Sequence, residues 1–388
     1  MQPLHIAFFT DGIYPYVMGG MQKHSYNLIK HLAQNKVRVT LYHVLNDEQQ
    51  QSLNYNHYFT TEELAFITFN CFQFPTGKKF IGHYLYYSYQ YSKLLTEYFI
   101  QHKTTESLVF AKGFSAWYLL AHKKRLGVIL PVVVKFHGLE MWQRAASFTE
   151  KLKQYLLRPA VKYNLRKATA VVSYGGNITT IIQQRGVKLA NITNIPTGID
   201  LDWISPPRTQ VNGVRKIIFV GRYERRKGIE ELHQAIQQLQ QNELLNCEFH
   251  FVGPIPTSLH LKFSNCIYHG SISQASQLQQ LLCTTDVLIC PSYAEGMPNV
   301  ILEAMASGNA IIATNVGAVN AMVSTTNGWL MPNCNVATIS QTLLQALITS
   351  GETLLQKQNN SILITQQQFN WATLVKQYIA KFNTLTAH

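Results

Sequence analysis

The chain has 388 residues, 46% of them hydrophobic and 14% charged, which excludes a disordered segment and supplies enough apolar material for two α/β domains. Its formal net charge of +13 lies in the first half: residues 1–195 hold 22 Lys and Arg against 9 Asp and Glu, and residues 196–388 hold 11 of each. A half of that sign favours anionic partners such as nucleic acid, anionic lipid or an acidic substrate. The six cysteines (Cys71, Cys247, Cys266, Cys283, Cys290, Cys334) form no C-x-x-C pair and no Cys/His cluster of zinc spacing, so they read as free thiols in a reducing compartment. The N-terminus has no signal-peptide pattern and no run of 18 apolar residues occurs. The expected location is the cytoplasm, with peripheral contact to the inner face of a membrane at most.

In chain order, HIAFFT reads as a buried parallel strand, followed by the loop DGIYPYVMGGM and an amphipathic helix carrying Tyr26, Leu28, Ile29 and Leu32. VRVTLYHV (37–44) is the second strand and 45–65 a polar loop. SLVFA (107–111), PVVVKFH (131–137) and AVVSY (170–174) are further strands, and the aromatics of 80–100 read mostly as core. A second β/α series starts at KIIFVG (216–221). It runs through a helix (228–240), CEFHFVG (247–253), CIYHG (266–270), a helix (273–284), DVLICPS (286–292), a helix (298–307), AIIATN (310–315) and GWLMP (328–332). Helices over 337–349, 352–366 and 371–384 close the chain. Restarted alternation means two doubly wound domains, one over 1–200 and one over 214–370, with the last helix, about 371–388, returning to the first.

Two stretches carry the chemistry. In PSYAEGMPNVILEAMASG (291–308) a strand ends, a loop carries Glu295, and Pro298 opens a helix whose first N–H groups, on Asn299, Val300 and Ile301, can face an anion. Glu303 follows Glu295 by eight residues and lies one turn into the helix, so both carboxylates can border one pocket and accept from paired hydroxyls. In VGRYERRKG (220–228) Arg222 and Lys227 fall where open α/β sheets bind ligands, and Arg and Lys together can neutralise a diphosphate without a metal. Arg225 and Arg226 read as solvated loop charges.

These stretches resemble the C-terminal signature of glycosyltransferase family 4, retaining enzymes of the GT-B fold that use nucleotide sugars. IPTGID (195–200), FVGP (251–254), DVLICPSYAEG and VGA (316–318) fit the same order. The resemblance implies two Rossmann-like domains facing an interdomain cleft. It also implies that Arg222 and Lys227 hold the donor diphosphate and help it leave, that Glu303 binds the ribose, and that Glu295 meets the donor sugar. Met297, Asn299 and Val300 would border the donor. Gly19 and Gly20 resemble the family's N-terminal glycine loop, and His137 in KFHGLE resembles its sugar-facing histidine. Glu295, His137, Arg222 and Lys227 are thus the candidate catalytic residues, with no metal ligands and no cofactor expected. Pro298 and the VGAVNAM stretch depart from the common pattern.

The expected partners are a nucleotide sugar (UDP-sugar first, GDP-mannose second) and a glycan or lipid-linked acceptor, in cell-surface polysaccharide or lipopolysaccharide assembly. Residues 148–167 interleave Lys151, Lys153, Arg158, Lys162, Arg166 and Lys167 with Leu and Tyr, a composition suited to an anionic membrane surface. Two other readings are a GT-B phosphorylase or epimerase, and a basic non-catalytic module on nucleic acid. For the last there is no helix-turn-helix, zinc-finger or RRM pattern, and nucleic acid is not expected.

Overall fold

The computed structural model describes residues 3–45, 54–103, 105–211, 213–241 and 247–387, so much of the expected 45–65 loop, at 46–53, lies outside the described residues. The chain divides into two compact units. Unit 1 comprises 1–137, 152–197 and 371–388; unit 2 comprises 138–151 and 198–370. The expectation of one unbroken stretch over 1–200 is corrected here, because Gly138–Lys151 packs with unit 2.

Unit 1 holds seven parallel strands: β1 (His5–Phe9), β2 (Arg38–Val44), β3 (Ile67–Phe72), β4 (Leu108–Lys112), β5 (Val132–Lys135), β6 (Ala170–Ser173) and β7 (Ile192–Asn194), in the order β3-β2-β1-β4-β5-β6-β7. β1 pairs Phe8 with Leu41 on one side and Phe110 on the other, so its apolar run IAFF is buried on both faces. Helix α1 (Gly20–Gln34) lays Leu28, Ile29 and Leu32 onto this sheet at helical spacing. The final helix (Trp371–Thr386) completes the same core with Trp371, Leu374, Val375, Tyr378 and Phe382.

Unit 2 holds β8 (Arg215–Val220), β9 (Cys247–Val252), β10 (Cys266–Gly270), β11 (Val287–Cys290), β12 (Ala310–Thr314) and β13 (Gly328–Met331), in the order β10-β9-β8-β11-β12-β13. The strand order reverses between β8 and β11, and the crevice beyond their carboxyl ends is where a doubly wound sheet takes its ligand.

One expectation about the surface changes. Of the aromatics in 80–100, only Tyr91 and Phe99 are buried, while Phe80, Tyr84 and Tyr86 are exposed around the helix His83–His102. Its buried face includes the small residues Ser88, Ser92 and Thr96, which leaves bulky rings for the outside. Among the described residues, no helix is long and apolar enough to cross a membrane.

Candidate active site

The loop after β8 and the loop after β11 are pressed together at the strand reversal of unit 2. The backbone N–H of Tyr293 donates to Arg226 O at 2.9 Å. Gly228 has φ 66°, and a Cβ there would run into the carbonyl of Pro291, so only glycine permits this approach.

Glu295 is the centre of the site. Its carboxylate is 8% exposed, 2.6 Å from Lys227 Nζ and 3.4 Å from Arg226, and accepts from Ser292 Oγ at 2.7 Å. Burial alone would raise the Glu295 pKa, but Lys227, Arg226 and the hydroxyl hold it below the ordinary carboxylate value. The two groups to which the family resemblance assigns sugar and diphosphate, Glu295 and Lys227, are thus bonded to each other.

The neighbouring cations depart from expectation. Arg226 is not a solvated charge: it reaches the Glu295 carboxylate and donates to Ala294 O at 2.9 Å. Arg225 donates to Glu231 at 2.7 Å and to Tyr293 Oη at 3.1 Å, and its guanidinium lies over the Tyr293 ring. A short helical turn over Arg225–Lys227 aims these side chains at the buried acids. Arg222 takes a different partner from Lys227: its side chain is 70% exposed and pairs with Glu224 at 3.1 Å.

The helix after Glu295 runs Asn299–Ala306, and Pro298 is its N-cap rather than its first residue. The N–H of Ile301 is taken by Pro298 O at 3.1 Å, so of the three expected groups Asn299 and Val300 remain the leading pair at the helix start. Met297 is buried beneath this turn, and Glu303 is half-buried on the helix. Gly317, with φ 56°, lies against the carbonyls of Glu295 and Gly296, so the VGA stretch supports the loop from behind.

The sequence reading did not find Gln143. Its side-chain oxygen accepts the Glu295 N–H at 3.2 Å and its Nε2 donates to Glu295 O at 2.6 Å and to Gly138 O at 2.9 Å. Next to it, Arg144 lies over the Tyr293 ring, 5.4 Å from its centroid. Burial raises the Glu140 pKa; its own backbone N–H and the Arg226 charge oppose that rise. Leu139 adopts φ 57°, a conformation that costs a bulky side chain energy and marks a tightly set turn.

The remaining candidates lie in unit 1. Gly19 caps helix α1 with φ 165°, extended backbone; a Cβ there would meet the end of the Gln22 side chain, and Gly20 begins the helix. His137 is half-buried, with Nε2 3.0 Å from Lys112 Nζ and Nδ1 bonded to Tyr174 Oη. Lys112 Nζ also lies 2.8 Å from His24 Nδ1. Burial, with Lys112 and Lys135 adding to it, pushes the His137 pKa well down. Among the described residues, no three His, Cys, Asp or Glu side chains group so as to hold a metal ion.

Two parallel-sheet units with a cationic, carboxylate-bearing crevice define the GT-B class of architecture. Residues 18–203 match the family described as Glycosyltransferase Family 4, and residues 214–349 the family described as Glycosyl transferases group 1. The chain belongs to this glycosyltransferase family. It is similar to a glycosyltransferase of Bacillus subtilis (strain 168) assigned to teichuronic acid biosynthesis, TuaC, with 31% identity over 153 residues, 36% of this chain. That match spans only 38% of the relative's length. Among solved structures, sucrose-phosphate synthase from Thermosynechococcus elongatus aligns with TM-score 0.76 and 18% identity over 99% of both chains. Anabaena HepE in complex with UDP aligns with TM-score 0.68 and 17% identity over 98% of this chain and 100% of that one.

Proposed function

We propose that this protein is a retaining, metal-independent glycosyltransferase that moves a hexose-type sugar from a nucleoside diphosphate donor to a glycan or lipid-linked acceptor. UDP-sugar is the favoured donor and GDP-mannose the second. The observation that carries this reading is the Lys227–Glu295 pair at the strand reversal of unit 2, beside the Asn299–Val300 helix start. A diphosphate entering that crevice meets Lys227, with Arg222 exposed on the same loop, and draws Lys227 away from Glu295. The freed carboxylate then accepts hydroxyls of the donor sugar. The cations and helix N–H groups stabilise the leaving diphosphate, which is electrostatic catalysis. Retention rests on the family, and the leaving phosphate taking the acceptor proton is the step consistent with it. The UDP named with the HepE structure and the polysaccharide pathway named with TuaC support this choice of donor and setting.

The test is thermal shift against UDP, GDP, ADP and their sugars. A ligand at 100 times its Kd adds about 2.7 kcal/mol. Lys227→Ala and Arg222→Ala should each weaken the bound nucleotide by about 1.5–3 kcal/mol. No shift with any nucleotide, or undiminished binding in both variants, removes the reading. Turnover of the donor should also survive EDTA; loss on chelation with recovery on Mn²⁺ or Mg²⁺ would contradict it.

The setting we propose is the cytoplasmic face of an anionic membrane. The helix Phe148–Lys167 exposes Phe148, Leu152, Tyr155 and Leu156 along one stripe, with Lys151 and Lys162 exposed beside it. Apolar anchors flanked by cations suit an interface, and each cation near such a surface contributes about 1 kcal/mol. Sedimentation with phosphatidylglycerol vesicles should exceed that with phosphatidylcholine vesicles, fall with salt, and drop in a variant with Lys151, Lys153, Lys162 and Lys167 changed to Gln. Equal sedimentation with both vesicles rules this setting out.

A further inference from the structure

Glu295 is held twice, by two sets of groups that respond differently to a ligand. Its carboxylate is held by Lys227, Arg226 and Ser292. Its main chain is held by Gln143 on both N–H and C=O, with Gly317 close behind the carbonyl. Glu295 belongs to neither a strand nor a helix, so its backbone groups need partners from elsewhere, and one amide side chain supplies both. Gln143 is itself oriented by its bond to Gly138 O and lies in a segment braced by Arg144 over Tyr293. Tyr293 in turn donates to Glu231 at 2.6 Å.

We infer that Gln143 is a positioning residue for Glu295, through which the segment Gly138–Arg144 becomes part of the donor site. This rests on the reading of Glu295 as the group that meets the donor sugar. The reason is an asymmetry between the two holds. A bound diphosphate competes for Lys227, so the side-chain hold loosens when substrate arrives. The main-chain hold contains no cation for a phosphate to take, and persists. During turnover the placement of the carboxylate therefore depends on Gln143. A glutamate at 143 keeps the shape and one acceptor but has no N–H for Glu295 O, while an asparagine is too short to span both groups.

The experiment measures donor turnover and UDP binding on the full chain, with UDP-glucose as the first probe and GDP-mannose as the second. Gln143→Ala, Gln143→Glu and Gln143→Asn should each lower kcat by about tenfold to a hundredfold, the range that a displaced catalytic group costs. UDP Kd and donor KM should stay within about twofold, because the diphosphate contacts are elsewhere. Gln143→Glu separates positioning from packing, since it fills the same space and still lacks the donor N–H. Wild-type kcat in Gln143→Glu, or parallel loss of kcat, UDP affinity and melting temperature in all three variants, overturns the inference. Failure of the wild type to bind any nucleoside diphosphate overturns the donor-site reading instead.

Discussion

The two units place lysines at the same kind of position, the carboxyl end of a parallel strand, and treat them in opposite ways. In unit 2, Lys227 follows β8 and meets a carboxylate at 2.6 Å. In unit 1, Lys112 and Lys135 end β4 and β5, and neither is bonded to an acid. Lys135 Nζ donates to Ile195 O and to Tyr378 Oη, both at 2.8 Å, and lies 4.0 Å from the Tyr174 ring centroid. Lys112 is set between His24 and His137. Burial pushes both lysines well below their ordinary value, opposed at Lys112 by Asp11. Burial among carbonyls and rings disfavours the charged form of Lys112 and Lys135, whereas Lys227 faces a carboxylate.

The comparison can be broken most severely at the charged pair. Lys227→Met leaves the buried Glu295 carboxylate with Arg226 and Ser292 alone and should cost about 3 kcal/mol in urea unfolding, more than the matching change in unit 1. Lys135→Met removes two hydrogen bonds and should cost about 2 kcal/mol. A larger cost for Lys135→Met than for Lys227→Met would overturn this ranking.

A pH series sharpens the contrast. The unfolded chain binds more protons on Lys112 and Lys135 than the folded one, so these groups make stability rise with pH. The window runs from their lowered folded values up to the ordinary 10.5. Above it the buried Tyr91 and Tyr378, raised by burial, reverse the slope. Lys135→Met should flatten the rise, and an unchanged slope would contradict a lowered Lys135 pKa. Glu295 acts at the other end: its contribution is present above the ordinary carboxylate value and lost as pH falls through its lowered folded value, so Glu295→Gln should remove part of the acid limb. The smallest effect belongs to Arg222→Ala, within about 0.5 kcal/mol of wild-type stability because the side chain is exposed.

Most strands were legible because parallel strands buried on both faces read as short apolar runs, as in HIAFF and VLIC. β3 was not, since ITFNCF mixes polar residues at an edge of the sheet, and neither was the short β7 at the other edge. In the site, Glu295 and Lys227 were readable from local spacing around strand ends. The structure brings them together and leaves Arg222 on the surface, which spacing does not reveal. Arg226 was misread because adjacent basic residues look solvated until the buried acid they face is known. Gln143 gave no signal within LEMWQR, for its partner lies 152 residues away. The glycines at 19 and 20 were both read as loop, whereas Gly20 opens helix α1 and Gly19 caps it.

The chain changes unit four times, after residues 137, 151, 197 and 370. No single cut can therefore yield two self-sufficient halves. A fragment ending near residue 200 would lack Trp371, Tyr378 and Phe382 from its core, and the complementary fragment would lack the glutamine that fixes Glu295. The protein should thus resist modular exchange at a single junction near residue 200. A chimera that borrows unit 1 from a relative must take that relative's terminal helix with it and keep residues 138–151 with its own unit 2.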